Sequence, residues 1–266
     1  MRRELVAVNT APDSENTMHG DEAKRYGFTS GLVPGVDVLA YLAHEGVATW
    51  GAGWLAGGRI AGRLAAPVYD GETVAVETEP TADGIASRVV GADGSARATA
   101  TLALLDETTR ASLGARTDPA AYALAPVPDP ADRPPASSAV LEPGIVLGTQ
   151  HAAFHADRAP RYLDEISETD PAFRADGAAH PGWLLRFANW ALSRTVRLGP
   201  WIHVSSDAWL LTAIHDGDEL EVRAHVTDRF ERKGHEFVDL AVLYLVDGAP
   251  VAFVDHRAIW QPRTQD

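Results

Sequence analysis

The residues whose types and spacing could support chemistry lie together near the amino terminus, within residues 14–19. His19 carries an imidazole whose ordinary pKa lies near neutrality, so it can accept and release a proton in general acid–base catalysis. Asn16, three residues earlier, offers an amide that can orient a water molecule or a substrate. Glu15 is a carboxylate in the same segment. The segment therefore indicates proton transfer assisted by hydrogen bonding.

A proline followed by a glycine, Pro34-Gly35, opens an apolar run over residues 36–42. Proline suits the first turn of a helix, and the run predicts a helix that is buried in the core. The backbone N–H of Gly35 would then lie at the helix N-terminus, with the helix dipole behind it. Because glycine has no side chain, a ligand can approach this N–H closely.

Ordinary structural roles explain the same residues. Ser14 or Asn16 could cap a helix over residues 21–25, since both side chains accept hydrogen bonds from free backbone N–H groups. The Pro-Gly pairs at residues 34–35 and 181–182 could be simple helix starts. The sequence leaves both interpretations open.

The other histidines make weaker cases. His151 and His155 stand four residues apart, which on a helix would place both on one face as metal ligands; no third ligand has a matching spacing, so we predict no metal site. His180 is interpreted as structural. Residues 201–203, Trp-Ile-His, are typical of aromatic packing at a strand start. The basic residues 232–235 predict a hairpin tip that either reaches ligand phosphates or is a solvated turn.

Composition excludes several classes of function. Lys and Arg number 23 against 37 Asp and Glu, a formal net charge of −14, so the surface repels nucleic acid and anionic membranes. The absence of Cys excludes disulfides, thiolate nucleophiles and Cys-based zinc sites. We find neither a signal-peptide pattern nor an apolar stretch of about 18 residues, the length of a membrane span. We therefore predict a globular cytoplasmic protein with no membrane or nucleic-acid partner.

Three landmarks occur twice in the same order, which predicts an internal duplication. They are Pro-Gly at 34–35 and 181–182, Asp-Gly at 70–71 and 216–217, and Asp-Gly at 93–94 and 247–248. The last pair is placed as in two-residue hairpin turns. The first two landmarks are 36 positions apart in the first copy and 35 in the second. One hairpin is longer in the second copy, around residues 229–235.

We therefore divide the chain into an N-terminal unit (1–116), a linker (117–145) and a C-terminal unit (146–266). The linker contains prolines at 119, 126, 128, 130, 134 and 135, which can neither continue a helix nor donate to a sheet ladder, so we predict an extended strap. In each copy a helical run is followed by strands, for instance residues 73–78 and 220–226, which alternate with period two. The pattern predicts an α+β fold in which a long antiparallel sheet wraps one buried helix, twice over.

That architecture is the hotdog fold, and the residues resemble a family that has it, the MaoC-like hydratases and dehydratases. In that family an Asp, an Asn and a His lie on a loop at spacings of two and three, and a His-Gly opens the central helix. This sequence keeps Asn16, His19 and Gly35. It has Ser14 in place of the Asp and Pro34 in place of the second His. In the second copy the helix start over residues 179–182 resembles the family, but the segment 168–171 lacks a following His.

The resemblance implies an R-specific enoyl-CoA hydratase or 3-hydroxyacyl-CoA dehydratase, which adds or removes water at C2–C3 of an acyl thioester. It implies that His19 is the general acid/base, that Asn16 positions water or substrate, and that Glu15 replaces the missing carboxylate. Gly35 would stabilise the enolate oxygen. The substrate-binding residues would be Ser14, Val33, Pro34 and Gly35.

The resemblance also implies that coenzyme A is part of the substrate, with no further cofactor. The chain would be a double hotdog, a pseudo-dimer of its own two units, and a homodimer of such chains is left open. Two alternatives stay open as well. One is a hotdog thioesterase, since the same oxyanion donor serves a tetrahedral intermediate. The other is a non-catalytic protein that binds acyl ligands.

Overall fold

The computed structural model describes residues 1–263, in which one antiparallel sheet of ten strands wraps two long helices. The first half contains β1 (Arg2–Val6), α1 (Gly35–Trp50), β2 (Gly58–Leu64), β3 (Thr73–Thr81), β4 (Gly84–Gly91), β5 (Ala96–Leu104) and the short α2 (Glu107–Ser112). The second half contains β6 (Val146–Ala153), α3 (Ala159–Glu165), α4 (Pro171–Arg174), α5 (Pro181–Ser193), β7 (Ile202–Leu210), β8 (Glu219–Arg232), β9 (His235–Val246) and β10 (Ala249–Gln261).

The strand order confirms the predicted double hotdog. It runs β1-β3-β4-β5-β2-β7-β10-β9-β8-β6. The five strands of each half are therefore ordered first, third, fourth, fifth, second, and in each half the long helix lies between the first and second strands in sequence. The halves join where β2 pairs antiparallel with β7, from Arg59 opposite Trp209 to Arg63 opposite Ser205. One sheet is thus shared by both copies.

The two central helices pack against each other in the middle of the core. A Cβ on Gly182 would lie 2.5 Å from the Cβ of Ala40, so glycine at this position allows the helix backbones to approach closely. An ion pair also crosses this interface, since Arg186 Nη2 lies 3.1 Å from Oδ1 of the fully buried Asp37. Tyr244 on β9 donates its hydroxyl to the carbonyl oxygen of Leu184 at 3.0 Å. These contacts fix α1 and α5 relative to each other and to the sheet.

The Asp-Gly pairs lie at turns, but Asp93-Gly94 does not form the two-residue hairpin turn that the sequence predicts, because the four residues 92–95 separate β4 from β5. Asp247 and Gly248 have φ of 50° and 75° between β9 and β10, the left-handed pair that a two-residue hairpin turn requires. The Asp-Gly pairs at 70–71 and 216–217 precede β3 and β8. The longer hairpin of the second copy is also confirmed, because β8 and β9 extend beyond the length of β3 and β4.

The segment 117–145 runs over the sheet and then returns towards the helices. Tyr122 is buried in a small cluster with Trp209 and Phe253, and its carbonyl oxygen accepts a hydrogen bond from Arg223. Further along, Arg133 donates to the carbonyl oxygen of Ser193 at the end of α5. Within residues 1–263, no helix combines the length and apolarity that a membrane crossing requires.

Candidate functional site

Hydrogen bonds and a buried side chain hold the loop that carries His19 in place. Asn16 caps a short 3-10 helix over Thr17–His19, with its Oδ1 accepting from the N–H of Met18 at 3.3 Å. Met18 is buried, which anchors the loop in the core. The carbonyl oxygen of His19 accepts from Nδ2 of Asn9 at 2.8 Å. The capping role considered for Asn16 is therefore real, although the helix it caps is shorter and begins earlier than residues 21–25.

The imidazole of His19 is held in one tautomer. Its Nδ1 lies 2.7 Å from the carbonyl oxygen of Leu32, and because a carbonyl can only accept, Nδ1 carries the hydrogen. Burial lowers the pKa of His19, outweighing the opposite effects of the Leu32 bond and of Asp37. The ring is therefore neutral near pH 7, and Nε2 is its basic atom. Nε2 lies 3.4 Å from Nδ2 of Asn16.

Asn16 connects the two halves of the chain. Its Nδ2 donates to the carbonyl oxygen of Trp201 at 3.0 Å, and its Oδ1 accepts from the N–H of the same residue at 3.3 Å. Both backbone groups of Trp201, the residue before β7, are thus satisfied by one amide from the first half. This fixes the second amide hydrogen of Asn16 near Nε2 of His19.

Gly35 is the first residue of α1, where backbone N–H groups have no acceptor inside the helix. A Cβ at this position would collide with Cδ1 of Leu64 and would lie 2.9 Å from Nδ1 of His203. Only glycine therefore fits without movement of these neighbours. The N-terminus of a helix carries partial positive charge, so it favours negative charge placed next to it.

Two cavities meet at the His19 loop. One, here called the polar cleft, has a volume of about 340 Å³ and is lined by Ser14, Glu15, Pro34, Arg133, Arg186 and Arg194 among others. The second, here called the apolar cavity, has a volume of about 260 Å³ and is lined by Met18, Phe28, Val33, Gly35, Val38 and Phe237 among others. Asn16, His19, Asn189 and Trp201 line both. His19 therefore lies at the junction of a charged and an apolar compartment.

The polar cleft is locally cationic although the protein carries a net charge of −14. Arg133 is paired with Glu15 at 2.7 Å and Arg186 with Asp37 at 3.1 Å. Arg194 forms no ion pair within residues 1–263; its Nη1 donates to the neutral amide of Gln150 at 3.2 Å. Burial and the neighbouring Arg133 lower the pKa of Arg194, although a guanidinium stays charged at pH 7. The cleft thus offers a cation to an anionic ligand.

The structure brings some of the predicted site residues together and separates others. Asn16 and His19 are adjacent, and Val33 and Gly35 line the same apolar cavity as they do. Ser14, Glu15 and Pro34 line the polar cleft instead. Ser14 donates to the carbonyl oxygen of Asn16 at 3.3 Å. The side chain of Glu15 is 76% exposed and paired with Arg133, so the geometry favours His19 acting without Glu15.

In the second copy, His180 caps α5 and belongs to a buried hydrogen-bonded cluster with Glu168. Its Nδ1 accepts from the N–H of Gly182 at 3.0 Å, and its Nε2 lies 3.2 Å from Glu168. Glu168 also accepts from Nδ1 of His44 at 2.8 Å. Burial alone would raise the pKa of Glu168, but the bonds from the two imidazoles hold it well below its usual range. Both ring nitrogens of His180 therefore have partners within the protein, and its structural role stays a prediction.

The remaining sequence candidates lie apart from the cavities. His151 is exposed on β6 and His155 lies in the loop after it, so the helical spacing considered for a metal does not apply. No group of three or more His, Asp or Glu side chains in the described part of the chain is arranged to hold a metal ion. Residues 232–235 form an exposed hairpin tip that lines neither cavity.

Several residues that line the cavities were not predicted from the sequence, and they come from the linker and the second half. Arg133, Arg186 and Arg194 line the polar cleft, and His203 lines the apolar cavity. His203 belongs to the Trp-Ile-His segment in which the sequence predicts aromatic packing. No local signal indicates its position, because it depends on how β7 pairs with β2 and β10.

No family model matches the sequence, and no curated protein matches it. Solved structures do match. A conserved hypothetical double hotdog protein from Mycobacterium tuberculosis has TM-score 0.60 and 13% identity, with 97% of this chain and 93% of that chain covered. A protein from Chloroflexus aurantiacus, provisionally described as a MaoC domain dehydratase, has TM-score 0.57 and 11% identity, with 99% and 96% covered.

A third match is the dehydratase domain of PpsC from Mycobacterium tuberculosis in complex with an unsaturated twelve-carbon acyl-CoA. It has TM-score 0.50 and 12% identity, with 97% of this chain and 92% of that chain covered. Proteins provisionally described as thioesterases also match. The chain therefore has the double hotdog fold that its sequence predicts, a fold that it shares with solved structures described as MaoC-like dehydratases and as thioesterases.

Proposed function

We propose that the protein is a hydratase or dehydratase that acts at C2–C3 of an enoyl or 3-hydroxyacyl thioester. One observation carries the proposal: His19, neutral and with Nε2 as its basic atom, lies where a cationic cleft and an apolar cavity meet, together with the N-terminus of α1. An acyl thioester has the matching parts. Its coenzyme A or carrier portion bears phosphate, and its acyl chain is apolar.

In the hydration direction, Nε2 of His19 takes a proton from water. The water oxygen bonds to C3, and the electrons of the C2–C3 double bond move to the thioester oxygen, which becomes an enolate. The N–H of Gly35 donates to that oxygen, and the helix dipole stabilises its charge. The imidazolium then returns its proton to C2. A single imidazole therefore suffices for both proton transfers, and Asn16 holds it in place.

The ligand would be bound along the junction of the two compartments. Arg194 attracts phosphate from the polar cleft, because its charge is not neutralised by a carboxylate among the described residues. The acyl chain enters the apolar cavity between Phe28, Val38 and Phe237. This placement leaves the thioester carbonyl between His19 and Gly35.

Thioester hydrolysis is the second candidate, favoured by Ser14, which stands where the hydratase motif has a carboxylate. In that reaction the water activated by His19 attacks the thioester carbon, and the tetrahedral oxyanion is stabilised by the same N–H of Gly35. The C–S bond then breaks, and the thiolate takes the proton from the imidazolium. The two reactions differ in their products.

Incubation with crotonyl-CoA and octenoyl-CoA tests the proposal. Hydration removes the absorbance of the conjugated enoyl thioester without releasing a thiol, whereas hydrolysis releases free coenzyme A. We expect His19→Ala to lower the hydration rate about 10²- to 10⁴-fold. His151→Ala, a change at an exposed histidine on β6, is the matched control and should leave the rate unchanged.

Absence of turnover of every enoyl-CoA, or equal rates for wild type and His19→Ala, would refute the hydratase. Thiol release that depends on His19 would establish the hydrolase instead. Stoichiometric binding of the acyl-CoA without any product would identify a non-catalytic acyl-binding protein.

A further inference from the structure

Three buried polar side chains form a connected series on β7 and β10. Nε2 of His203 lies 2.9 Å from Oγ of Ser206, which lies 3.0 Å from Nδ1 of His256. The two imidazole rings stack, with centroids 4.4 Å apart and 22° between their planes. The exposed fraction of each of these residues is 5% or less. The series therefore lies in the core and not on the surface.

The hydrogen bonds in this series can run in either direction. Burial lowers the pKa of His203 to about 4 and that of His256 well below its ordinary value, so both rings are neutral near pH 7. A neutral imidazole has one N–H and one lone pair. If Nε2 of His203 donates to Ser206, Nδ1 of His203 is an acceptor. If the hydroxyl of Ser206 donates to Nε2, Nδ1 of His203 carries the hydrogen and is a donor. The serine hydroxyl can adopt either orientation, so Nδ1 can become a donor without any change in charge.

The series has an unsatisfied atom at each end. Nδ1 of His203 and Nε2 of His256 have no hydrogen-bond partner among residues 1–263. Buried polar atoms without partners destabilise a fold, so an orphan of this kind requires an explanation. Nδ1 of His203 lies 2.9 Å from the position that a Cβ on Gly35 would occupy, and His203 lines the apolar cavity with His19. One orphan is thus next to the N-terminus of α1. Nδ1 itself is covered in this structure, and Cδ1 of Leu64 packs against the same position, so a ligand reaches Nδ1 when the side chain of Leu64 moves aside.

We propose that Nδ1 of His203 donates a hydrogen bond to the thioester oxygen of the bound ligand, beside the N–H of Gly35. The inference rests on the proposed function, because it takes the ligand to be an acyl thioester. Ser206 and His256 are then positioning residues: when the hydroxyl of Ser206 donates to Nε2 of His203 and accepts from Nδ1 of His256, His203 is in its donor tautomer. The ligand satisfies the orphan, and the cavity selects for acyl compounds that carry a carbonyl group next to the sulfur.

Ligand binding tests this without requiring turnover. Octanoyl-CoA has the thioester carbonyl, whereas S-octyl-CoA is a thioether of the same chain length that lacks it. By isothermal titration calorimetry, we expect wild type to bind octanoyl-CoA about tenfold more tightly than S-octyl-CoA, because one buried hydrogen bond contributes a free energy of that order. His203→Leu should abolish the preference and leave the affinity for S-octyl-CoA within about twofold.

His203→Asn provides a second variant, because its amide nitrogen is close to the position of Nδ1 and can still donate. We expect it to keep most of the preference. A purely structural role for His203 predicts instead that both variants change the two affinities equally. The imidazole nitrogen resonance of His203 can be assigned because it is absent from the spectrum of His203→Asn. In wild type, this resonance should shift when octanoyl-CoA is added and not when S-octyl-CoA is added. This measurement does not depend on whether His203→Leu folds.

The outcomes separate the inference from the proposed function. If wild type binds neither compound, the acyl-thioester function and the inference both fail. If wild type binds octanoyl-CoA but shows no preference over S-octyl-CoA, or if the preference survives in His203→Leu, the role of His203 is refuted while the function stands.

Discussion

The buried neutral histidines should make the fold sensitive to mild acid. Burial lowers the pKa of His203 to about 4, below the pKa of about 6.5 that a histidine has in the unfolded chain. Between these two values the unfolded chain binds a proton that the folded chain does not, so the free energy of unfolding decreases as the pH falls through this window. The slope is about 1.4 kcal/mol per pH unit for one histidine, which makes the contribution of His203 about 3 kcal/mol over the window. His256 adds to it in the same direction.

Urea denaturation at pH 7, 6, 5 and 4 measures the effect. We expect the free energy of unfolding of wild type to decrease as the pH falls. In His203→Asn this decrease should be smaller by about 1.4 kcal/mol per pH unit, the contribution of one titrating group, because the variant has no titratable group at this position. His151→Asn, at an exposed site on β6, should keep the wild-type slope. Equal slopes for wild type and His203→Asn between pH 6.5 and 4 would refute the reasoning.

Three other substitutions test the site's construction. Gly35→Ala should cost about 1–3 kcal/mol of unfolding free energy, by urea denaturation, because the added Cβ overpacks the start of α1; an unchanged or raised value would contradict this. Asp37→Asn should cost about 3–5 kcal/mol, since it leaves Arg186 partly buried without its counter-charge. The double variant with Arg186→Met should recover most of that loss, and failure to recover it would show that the ion pair is not the cause. Asn16→Ala should cost about 1–3 kcal/mol and speed amide exchange at Trp201, whose two backbone groups lose their partner; unchanged exchange would exclude the cross-half link.

The fold could be predicted because its signals are local and occur twice. A turn such as Asp247-Gly248 is specified by the two residues that must adopt positive φ, and each buried helix by its own apolar run. The repeated order of these signals then indicates the duplication, which predicts the sheet topology of both halves together. No long-range information is needed for this step.

The first half of the site was predictable for the same reason, since Asn16 and His19 belong to one short loop. His203 was not. It is three residues before Ser206, a spacing that in a regular strand places side chains on opposite faces, yet both residues contact the same buried series. The pairing of β7 with β10 shifts register between Arg257 and Ala258, and this irregularity turns His203 inward. Such a bulge has no signature in the sequence.

The pairing of β2 with β7 has an evolutionary consequence. In an assembly of two identical hotdog chains, any substitution would appear in both partners, so a change that helps one copy of the fold would also be imposed on the other copy. Here the partner of β2 is a different strand of the same polypeptide. Each copy is therefore free to specialise: one can keep the loop around His19, while the other turns the equivalent region into the buried Glu168–His180 cluster, which also accepts a hydrogen bond from His44 on α1. Covalent fusion thus permits a division of labour that symmetry would forbid.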